Sequence, residues 1–205
     1  MHRDHLSSFD VSRETFERLE TLVGLLEKWN RKINLVSRST TPDIWSRHIE
    51  DSAQLMRYAP EICDHWLDLG SGGGLPGLVI AIIGADQGRI KKVTMVESDG
   101  RKCAFLTEAA RQLVLPVAVI NQRIESLSTQ NADVVSARAL ADLPTLLGFC
   151  FPHLGKGSKL LFPKGASHLS EIDRARENWR FQLDIHPSMT DPSAAVLEIS
   201  DVAQN

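Results

Sequence analysis

The sequence predicts an α/β fold: a mostly parallel β-sheet with one antiparallel strand, preceded by a helical cap. Three observations predict it. From Trp66 onward, short apolar runs alternate with segments of helix length, which is typical of successive βα units. Four glycines within 70–74 follow the first apolar run, as in a turn between a strand and a helix N-terminus. The chain before Trp66 has the apolar periodicity of helices instead.

The N-terminal segment is predicted to form the helical cap. Between 10 and 34, apolar side chains recur at steps of three, four and seven, which describes one stripe of an amphipathic helix. A second helix is predicted over 41–58, beginning with a threonine cap and a proline. We therefore expect a cap at 1–60 and a Rossmann-like domain at 61–205, together forming one compact unit.

Strands and helices alternate in the rest of the chain. Two extended stretches near its end, 181–186 and 194–200, predict a closing hairpin, and hence one antiparallel strand near the sheet edge. The earlier predicted strands are 65–69, 92–97, 117–121, 132–137 and 158–163, and the helices between them are about 75–83, 100–113, 142–150 and 167–178.

Composition indicates a soluble globular protein, with 42% hydrophobic and 24% charged residues in 205. No run approaches the roughly 20 apolar residues that span a bilayer, and the N-terminus lacks a signal-like apolar region. Three cysteines without metal-ligand spacing suggest buried thiols and no metal site. We expect a cytoplasmic monomer without a membrane partner. The net charge of −3 does not itself indicate nucleic-acid binding.

The glycine cluster predicts a cofactor site. Gly70, Gly72 and Gly74 follow Asp68 in a G-x-G-x-G spacing, and Leu75 stands where a dinucleotide fingerprint needs its third glycine. The turn requires positive φ and lets a ligand approach bare backbone. This pattern favours S-adenosylmethionine, and the missing Lys-Ser/Thr ending argues against a nucleoside triphosphatase. An ordinary glycine-rich connection is the alternative.

Acidic and apolar side chains at the next strand ends extend this prediction. Glu97 ends the second strand, where a carboxylate accepts hydrogen bonds from a ribose diol. Because NAD enzymes share that feature, it indicates a nucleoside without choosing the cofactor. Ile124 and Glu125 follow the third strand, where we expect them to face an adenine ring and its amino group. A solvent-facing acid is the alternative for Glu97.

Two cations follow the fourth and fifth strands. Arg138 and Lys164 are candidates to face guanine O6, a phosphate or the cofactor carboxylate, with surface ion pairs as the alternative. The fourth strand lacks the Asp/Asn-Pro-Pro-aromatic motif of amino-directed base methyltransferases, and no cysteine nucleophile ends a strand. A methyl acceptor that loses no proton, such as guanine N7, fits this set best.

A group of N-terminal cations is the candidate for RNA binding. Charge runs of this size are more often solvated helix faces, so the group alone does not establish the function. Its members are Lys28, Arg31, Lys32, Arg38, Arg47 and Arg57.

Four stretches, in order, resemble a known family. The glycine loop with its trailing Leu-Pro-Gly, and Asn-Leu-Val-Ser paired with His-x-x-Asp-Ser, are the most specific. The stretches are 29–37 with 47–52, 67–77, 97–106 with 123–125, and 136–140 with 163–165. They resemble the bacterial small-subunit (16S) rRNA guanine-N7 methyltransferases, also called the glucose-inhibited division protein B family.

The resemblance implies a class I methyltransferase fold and methyl transfer from S-adenosylmethionine to N7 of a guanine in the 530 loop of 16S rRNA. It implies that Arg138 and Lys164 face the reaction centre or RNA, and that His48 and Asp51 pin the cap to the sheet. Glu97 would lie near the ribose, and the other implied cofactor contacts are Gly70, Leu75, Ile124, Glu125 and Arg138. The implied RNA-binding residues are Arg31, Lys32, Arg38, Arg47 and Lys164.

One departure from the family pattern concerns RNA binding. Many members carry an arginine just before the last strand, whereas 191–195 here contains none. Two other functions stay open from the sequence: a small-molecule methyltransferase, which the acidic net charge favours, and a cofactor-binding interaction protein without turnover.

Overall fold

The computed structural model describes residues 6, 8–9, 11–37 and 39–205. Within them, strands assemble into one seven-stranded sheet in the order β3-β2-β1-β4-β5-β7-β6. The strand bounds are β1 Trp66–Leu69, β2 Val93–Glu97, β3 Val117–Asn121, β4 Ala132–Ser136, β5 Leu154–Lys164, β6 Trp179–Pro187 and β7 Ala195–Gln204. β1 to β5 pair in parallel, and β7 is antiparallel to both β5 and β6. The predicted fold class is confirmed.

The helices cover both faces of this sheet. Their bounds are α1 Arg13–Asn30, α2 Asp51–Ala53, α3 Gly77–Asp86, α4 Gly100–Gln112, α5 Leu143–Cys150 and α6 His168–Ala175. One buried cluster joins α1, the segment after it, α3 and α4 to one face, and a second joins α5, α6 and β7 to the other. In the described residues, no helix is both long and apolar enough to cross a membrane.

The first helix is shorter than its apolar stripe predicts. Ser12 caps α1, because its Oγ accepts the Thr15 N–H at 3.1 Å. At the other end, Asn30 Oδ1 accepts the backbone N–H groups of Leu35 and Val36 at 2.8 and 3.1 Å. This side chain turns the backbone away from the helix axis, so α1 ends at Asn30 rather than near residue 34.

The predicted second helix is not one regular helix. Its residues form a 3₁₀ turn at Thr41–Asp43, π-helical turns at Trp45–Glu50, the short α2, and a 3₁₀ turn at Gln54–Arg57. π-helical turns place successive side chains at unusual angles and occur often at functional sites. Within these turns His48 is buried, whereas its neighbour Arg47 is exposed. The domain boundary near residue 60 stays a prediction.

Candidate functional site

Two cavities adjoin at the carboxyl edge of the sheet. The first, the loop cavity, has a volume of about 590 Å³ and lies over 70–75, Glu97 and 122–125. The second, the cap cavity, has a volume of about 570 Å³ and lies between 35–51, the end of β5 and 188–195. Both are lined by Leu35, Arg138, Ala139 and Ala141.

Glycine is required along the floor of the loop cavity. Gly70, Gly72 and Gly74 have φ of +65°, +52° and +77°, which L side chains rarely adopt. A Cβ at Gly70 would lie 2.6 Å from a Leu140 methyl carbon. Gly70, Gly72 and Leu75 line the cavity, whereas Gly74 packs against Leu78 in the core and supports the turn from below.

Leu35 closes the loop from the other side. A Cβ at Gly73 would lie 2.9 Å from the Leu35 carbonyl oxygen, so the backbone after α1 rests directly on the glycine turn. Asn30 creates this contact by holding the Leu35 N–H. Sequence reasoning missed Leu35 as a lining residue, although it stands in the Asn-Leu-Val-Ser motif.

Asp68 lies beneath the loop and lines neither cavity. Its side chain is fully buried, and Oδ1 accepts a hydrogen bond from Ser136 Oγ at 2.6 Å. The same hydroxyl accepts the Trp66 indole N–H at 2.9 Å. Burial raises the pKa of Asp68 to about 6. The geometry therefore supports Asp68 as an internal brace of the turn; direct contact with a cofactor stays a prediction.

Glu97 presents a fixed carboxylate to the loop cavity. Oε2 accepts the Gly72 N–H at 3.0 Å, and Oε1 accepts the Asp99 N–H at 2.8 Å. Each carboxylate oxygen has a second lone-pair site, so the group can also accept two hydroxyl hydrogens. That is the acceptor pattern a ribose diol requires.

The far wall of the loop cavity combines apolar and polar side chains. Ile124 and Glu125 stand in a 3₁₀ turn, Ile124–Ser126, that follows β3. Leu140 and Phe149 line the same cavity from the other side. Together they form a slot suited to a flat ring with a polar edge. Leu140 and Phe149 were not predicted, because nothing local marks them as facing a ligand.

Arg138 stands at the junction of the two cavities. Its Nη1 donates to Asp51 Oδ2 at 3.2 Å and to the Arg47 carbonyl at 3.3 Å, and Nη2 lies 3.0 Å from His48 Nδ1. Only 17% of its side chain is exposed. Ala139, the next residue, has φ of +51°, a strained value for a residue other than glycine. The backbone is therefore held in a defined shape where the cavities meet.

Lys164 is occupied by neighbours from the same face of the sheet. Nζ donates to Glu171 Oε2 and to the Ala141 carbonyl, both at 2.7 Å, and 9% of the side chain is exposed. Glu171 also accepts the Leu143 N–H at 2.9 Å. The pair thus braces the backbone after Arg138. A direct role for Lys164 towards RNA or the reaction centre stays a prediction, and Glu171 was missed.

The predicted RNA-binding cations lie in two places. Arg47 is exposed at the rim of the cap cavity, where Nη1 pairs with Asp191 Oδ2 at 3.2 Å. Arg31 and Lys32 are exposed at the end of α1, and Lys32 lines a cleft of about 440 Å³ against α4. Arg38 lies outside the described residues. Asp191 therefore places a carboxylate in the segment where the family pattern has an arginine.

The described residues contain no group of three His, Cys, Asp or Glu side chains able to hold a metal ion. Cys63, Cys103 and Cys150 are free and buried. Burial raises the pKa of Cys63 to about 12, so this thiol is not an activated nucleophile. The chemistry of the site rests on the two cavities and on the arginine between them.

Known proteins resemble this chain over nearly its whole length. The family model of GidB, rRNA small subunit methyltransferase G, matches residues 15–196. A ribosomal RNA small subunit methyltransferase G from a Ruegeria species is 52% identical over 193 residues, covering 94% of each chain. One from Cereibacter sphaeroides is 49% identical over 203 residues, covering 99% of this chain and 98% of the relative.

A solved structure gives an independent comparison of the fold. The crystal structure of M. jannaschii TYW2 in complex with AdoMet matches with a TM-score of 0.57 and 14% sequence identity. The match covers 85% of this chain and 78% of that one. At this identity the likeness concerns the fold alone.

Proposed function

Because the chain belongs to the rRNA small subunit methyltransferase G family, we propose that it transfers a methyl group from S-adenosylmethionine to N7 of a guanine in the 530 loop of 16S rRNA. One observation carries the proposal: two cavities of similar size meet at Arg138 and Ala139. A donor held in one cavity and an acceptor base held in the other would face each other across that junction.

The loop cavity fits S-adenosylmethionine. Glu97 accepts the ribose hydroxyls, the bare backbone of Gly70 and Gly72 admits close approach, and Ile124 with Phe149 encloses the adenine ring. Glu125 accepts from the adenine amino group. When bound, the sulfonium supplies an electrophilic methyl carbon. Arg138 is at the end of the cavity where it can pair with the carboxylate of the methionine portion.

The cap cavity fits a guanine base turned out of its stack. Its volume is ample for one base, and its walls include Arg138 at the junction and Asp191 at the rim. Guanine N7 attacks with a lone pair and loses no proton, so the site needs no general base. The contribution of the protein is alignment, with Arg138 donating to guanine O6 beside N7. Lys164 and Glu171 act by holding the backbone of 139–143.

RNA contacts are proposed on both sides of this opening. Arg47 lies at the rim of the cap cavity, and Arg31 and Lys32 lie apart from it at the exposed end of α1. Arg38 belongs to the same sequence group. These side chains neutralise backbone phosphates and position the RNA, while the cavity selects the base. We propose that the protein acts as a cytoplasmic monomer on the small ribosomal subunit.

The test is methyl transfer to small subunits purified from cells that lack this protein. We would supply adenosylmethionine with a labelled methyl group and map the label in the 16S rRNA. Label as 7-methylguanine at one guanine of the 530 loop is expected. Label elsewhere in the RNA, or only on free nucleotides offered in parallel, contradicts the proposed substrate. Cofactor binding without any transfer contradicts the proposed reaction.

A further inference from the structure

His48 lies between Arg138 and Thr40 and has no role in the reaction as proposed above. It lies in the π-helical turns, is 9% exposed, and lines the cap cavity. Its Nδ1 is 3.0 Å from Arg138 Nη2, and its Nε2 is 2.8 Å from Thr40 Oγ1. The imidazole thus bridges the arginine at the junction and a turn at the cavity rim.

The direction of each hydrogen bond in this chain follows from its donors. Arginine has only donors, so His48 Nδ1 must accept from Arg138. A neutral imidazole then carries its proton on Nε2 and donates it to Thr40 Oγ1. The threonine hydroxyl hydrogen in turn goes to the Ser37 carbonyl at 2.9 Å. All three hydrogen bonds therefore donate in the same direction, from Arg138 through His48 and Thr40 to the Ser37 carbonyl.

The surroundings keep this histidine neutral. Burial and the charges of Arg138 and Arg47 lower the pKa of His48 to about 4. Asp51 is the acidic neighbour, and its Oδ2 is engaged by Arg138. A protonated imidazole would turn Nδ1 into a donor facing a guanidinium, so the bond to Arg138 exists only in the neutral form.

We propose that His48 is a positioning residue for methyl transfer, fixed as its Nε2–H tautomer by Thr40 so that Nδ1 holds the Arg138 guanidinium at the junction of the two cavities. The inference rests on the proposed function, because it assigns a task to Arg138 in that reaction. The Ser37–Thr40 turn then has a role as well. Through Thr40 and His48, this turn at the rim of the cap cavity sets the orientation of Arg138 beside the reacting base.

Three substitutions of one side chain separate positioning from packing. The amide oxygen of His48→Asn comes to the place of Nδ1 and can accept from Arg138, whereas the longer His48→Gln places its amide near Nε2. His48→Ala removes both contacts. Single-turnover transfer to small subunits should fall about tenfold to a hundredfold in the Ala and Gln variants, as for a lost hydrogen bond to a charged group, and recover most of the way in Asn.

Two further measurements keep the outcome clear. Unfolding midpoints of the Asn and Gln variants should agree, so a difference in their rates is not a folding effect. Nitrogen chemical shifts of His48 in the wild-type protein should show protonated Nε2 and unprotonated Nδ1, independent of any activity. An Nδ1–H tautomer, or equal rates for Asn and Gln in a wild type that methylates subunits, overturns the inference. A wild type that methylates no subunits overturns the proposed function instead, and leaves the tautomer measurement standing.

Discussion

The two cavities are built from different materials. The loop cavity has a floor of backbone, set by three left-handed glycines, beside a carboxylate held by the N–H groups of Gly72 and Asp99. The cap cavity is shaped by side chains that meet across long stretches of sequence. Arg138 reaches Asp51, 87 residues away, and Arg47 reaches Asp191, 144 residues away. The floor of the loop cavity is therefore preformed, whereas the wall of the cap cavity depends on ion pairs between distant segments of the chain.

This difference matches what each cavity must accept in the proposed reaction. A small cofactor of constant shape is best held by a rigid, preformed surface. A base attached to a large RNA must enter, be oriented and leave, and side-chain pairs at a partly exposed rim can rearrange to allow that. Arg138 lines both cavities and is the charged residue among the four that do, so its replacement should affect both.

The largest effect is expected from replacing Arg138, which lines both cavities. We expect Arg138→Ala to lower methyl transfer to small subunits by about a hundredfold or more, because a charged donor is lost where charge is redistributed. Cofactor affinity should fall as well. Arg176→Ala, an exposed arginine that lines neither cavity, serves as the control in the same assay. A loss below threefold would contradict the role given to the junction.

The backbone-built cavity is tested with a matched pair of glycines. Gly70 and Gly88 have nearly equal φ, +65° and +63°, but a Cβ meets Leu140 at Gly70 and open space at Gly88. Both alanine variants should lose about 1–2 kcal/mol of unfolding free energy to the left-handed conformation. Only Gly70→Ala should weaken adenosylmethionine binding in calorimetry, by about tenfold. Equal affinities in the two variants would mean that the loop does not touch the cofactor.

Two buried groups near the site, His48 in the wall of the cap cavity and Asp68 beneath the glycine loop, have pKa values shifted in opposite directions, each towards its neutral form. For His48, the pKa falls from 6.5 to about 4, so the unfolded chain binds the proton first, and stability is lost as pH falls through this range. For Asp68, the pKa rises from 3.8 to about 6, so stability is lost as pH rises through that range.

A variant that removes one of these groups should reveal how the other makes the free energy of unfolding depend on pH. Urea unfolding at pH 6.5 and 4.5 should show His48→Asn gaining stability relative to wild type at the lower pH, by on the order of 1–2 kcal/mol. Asp68→Asn should lose stability relative to wild type at the lower pH. The reason is that it lacks the Asp68 contribution, which grows as pH falls, and keeps the His48 contribution, which is lost as pH falls. Parallel pH dependence in both variants and the wild type would show that neither group titrates as its burial implies.

The smallest effect is expected at the rim of the cap cavity. Asp191→Asn keeps an oxygen for the Ser193 N–H, which Oδ1 now accepts at 2.9 Å, and removes the charge that pairs with Arg47. The released arginine should raise affinity for small subunits about twofold to threefold, with a steeper salt dependence. Filter binding at two salt concentrations measures both. Weaker binding would show instead that Asp191 itself contacts the RNA.

The same contrast explains what could be predicted from the sequence. The glycine turn, Glu97 and the succession of strands along the chain follow from local patterns. The structure has the strands within a few residues of their predicted bounds, apart from an earlier start to β5 and longer hairpin strands. The end of α1 was predicted wrongly, because Asn30 captures two backbone N–H groups beyond the helix. The spacing of apolar residues carries no information about such side-chain hydrogen bonds to the backbone.

The rim of the cap cavity was the least predictable part. The π-helical turns around His48 have the same apolar spacing as a regular helix, so the sequence predicted one. Lys164 was recognised as a cation at a strand end, but its partner Glu171 lies on α6 and carries no signal of pairing. Ion pairs depend on the finished fold, whereas the glycine turn is dictated by its own residues.

The most direct test of how the two cavities work together is a crystal structure of the protein with S-adenosylmethionine bound. We expect the ribose on Glu97, the adenine between Ile124 and Phe149, and the methyl group directed at the opening beside Arg138 and Ala139. A cofactor seated in the cap cavity, or one whose methyl group points away from Arg138, would contradict the division of the site into a donor cavity and an acceptor cavity.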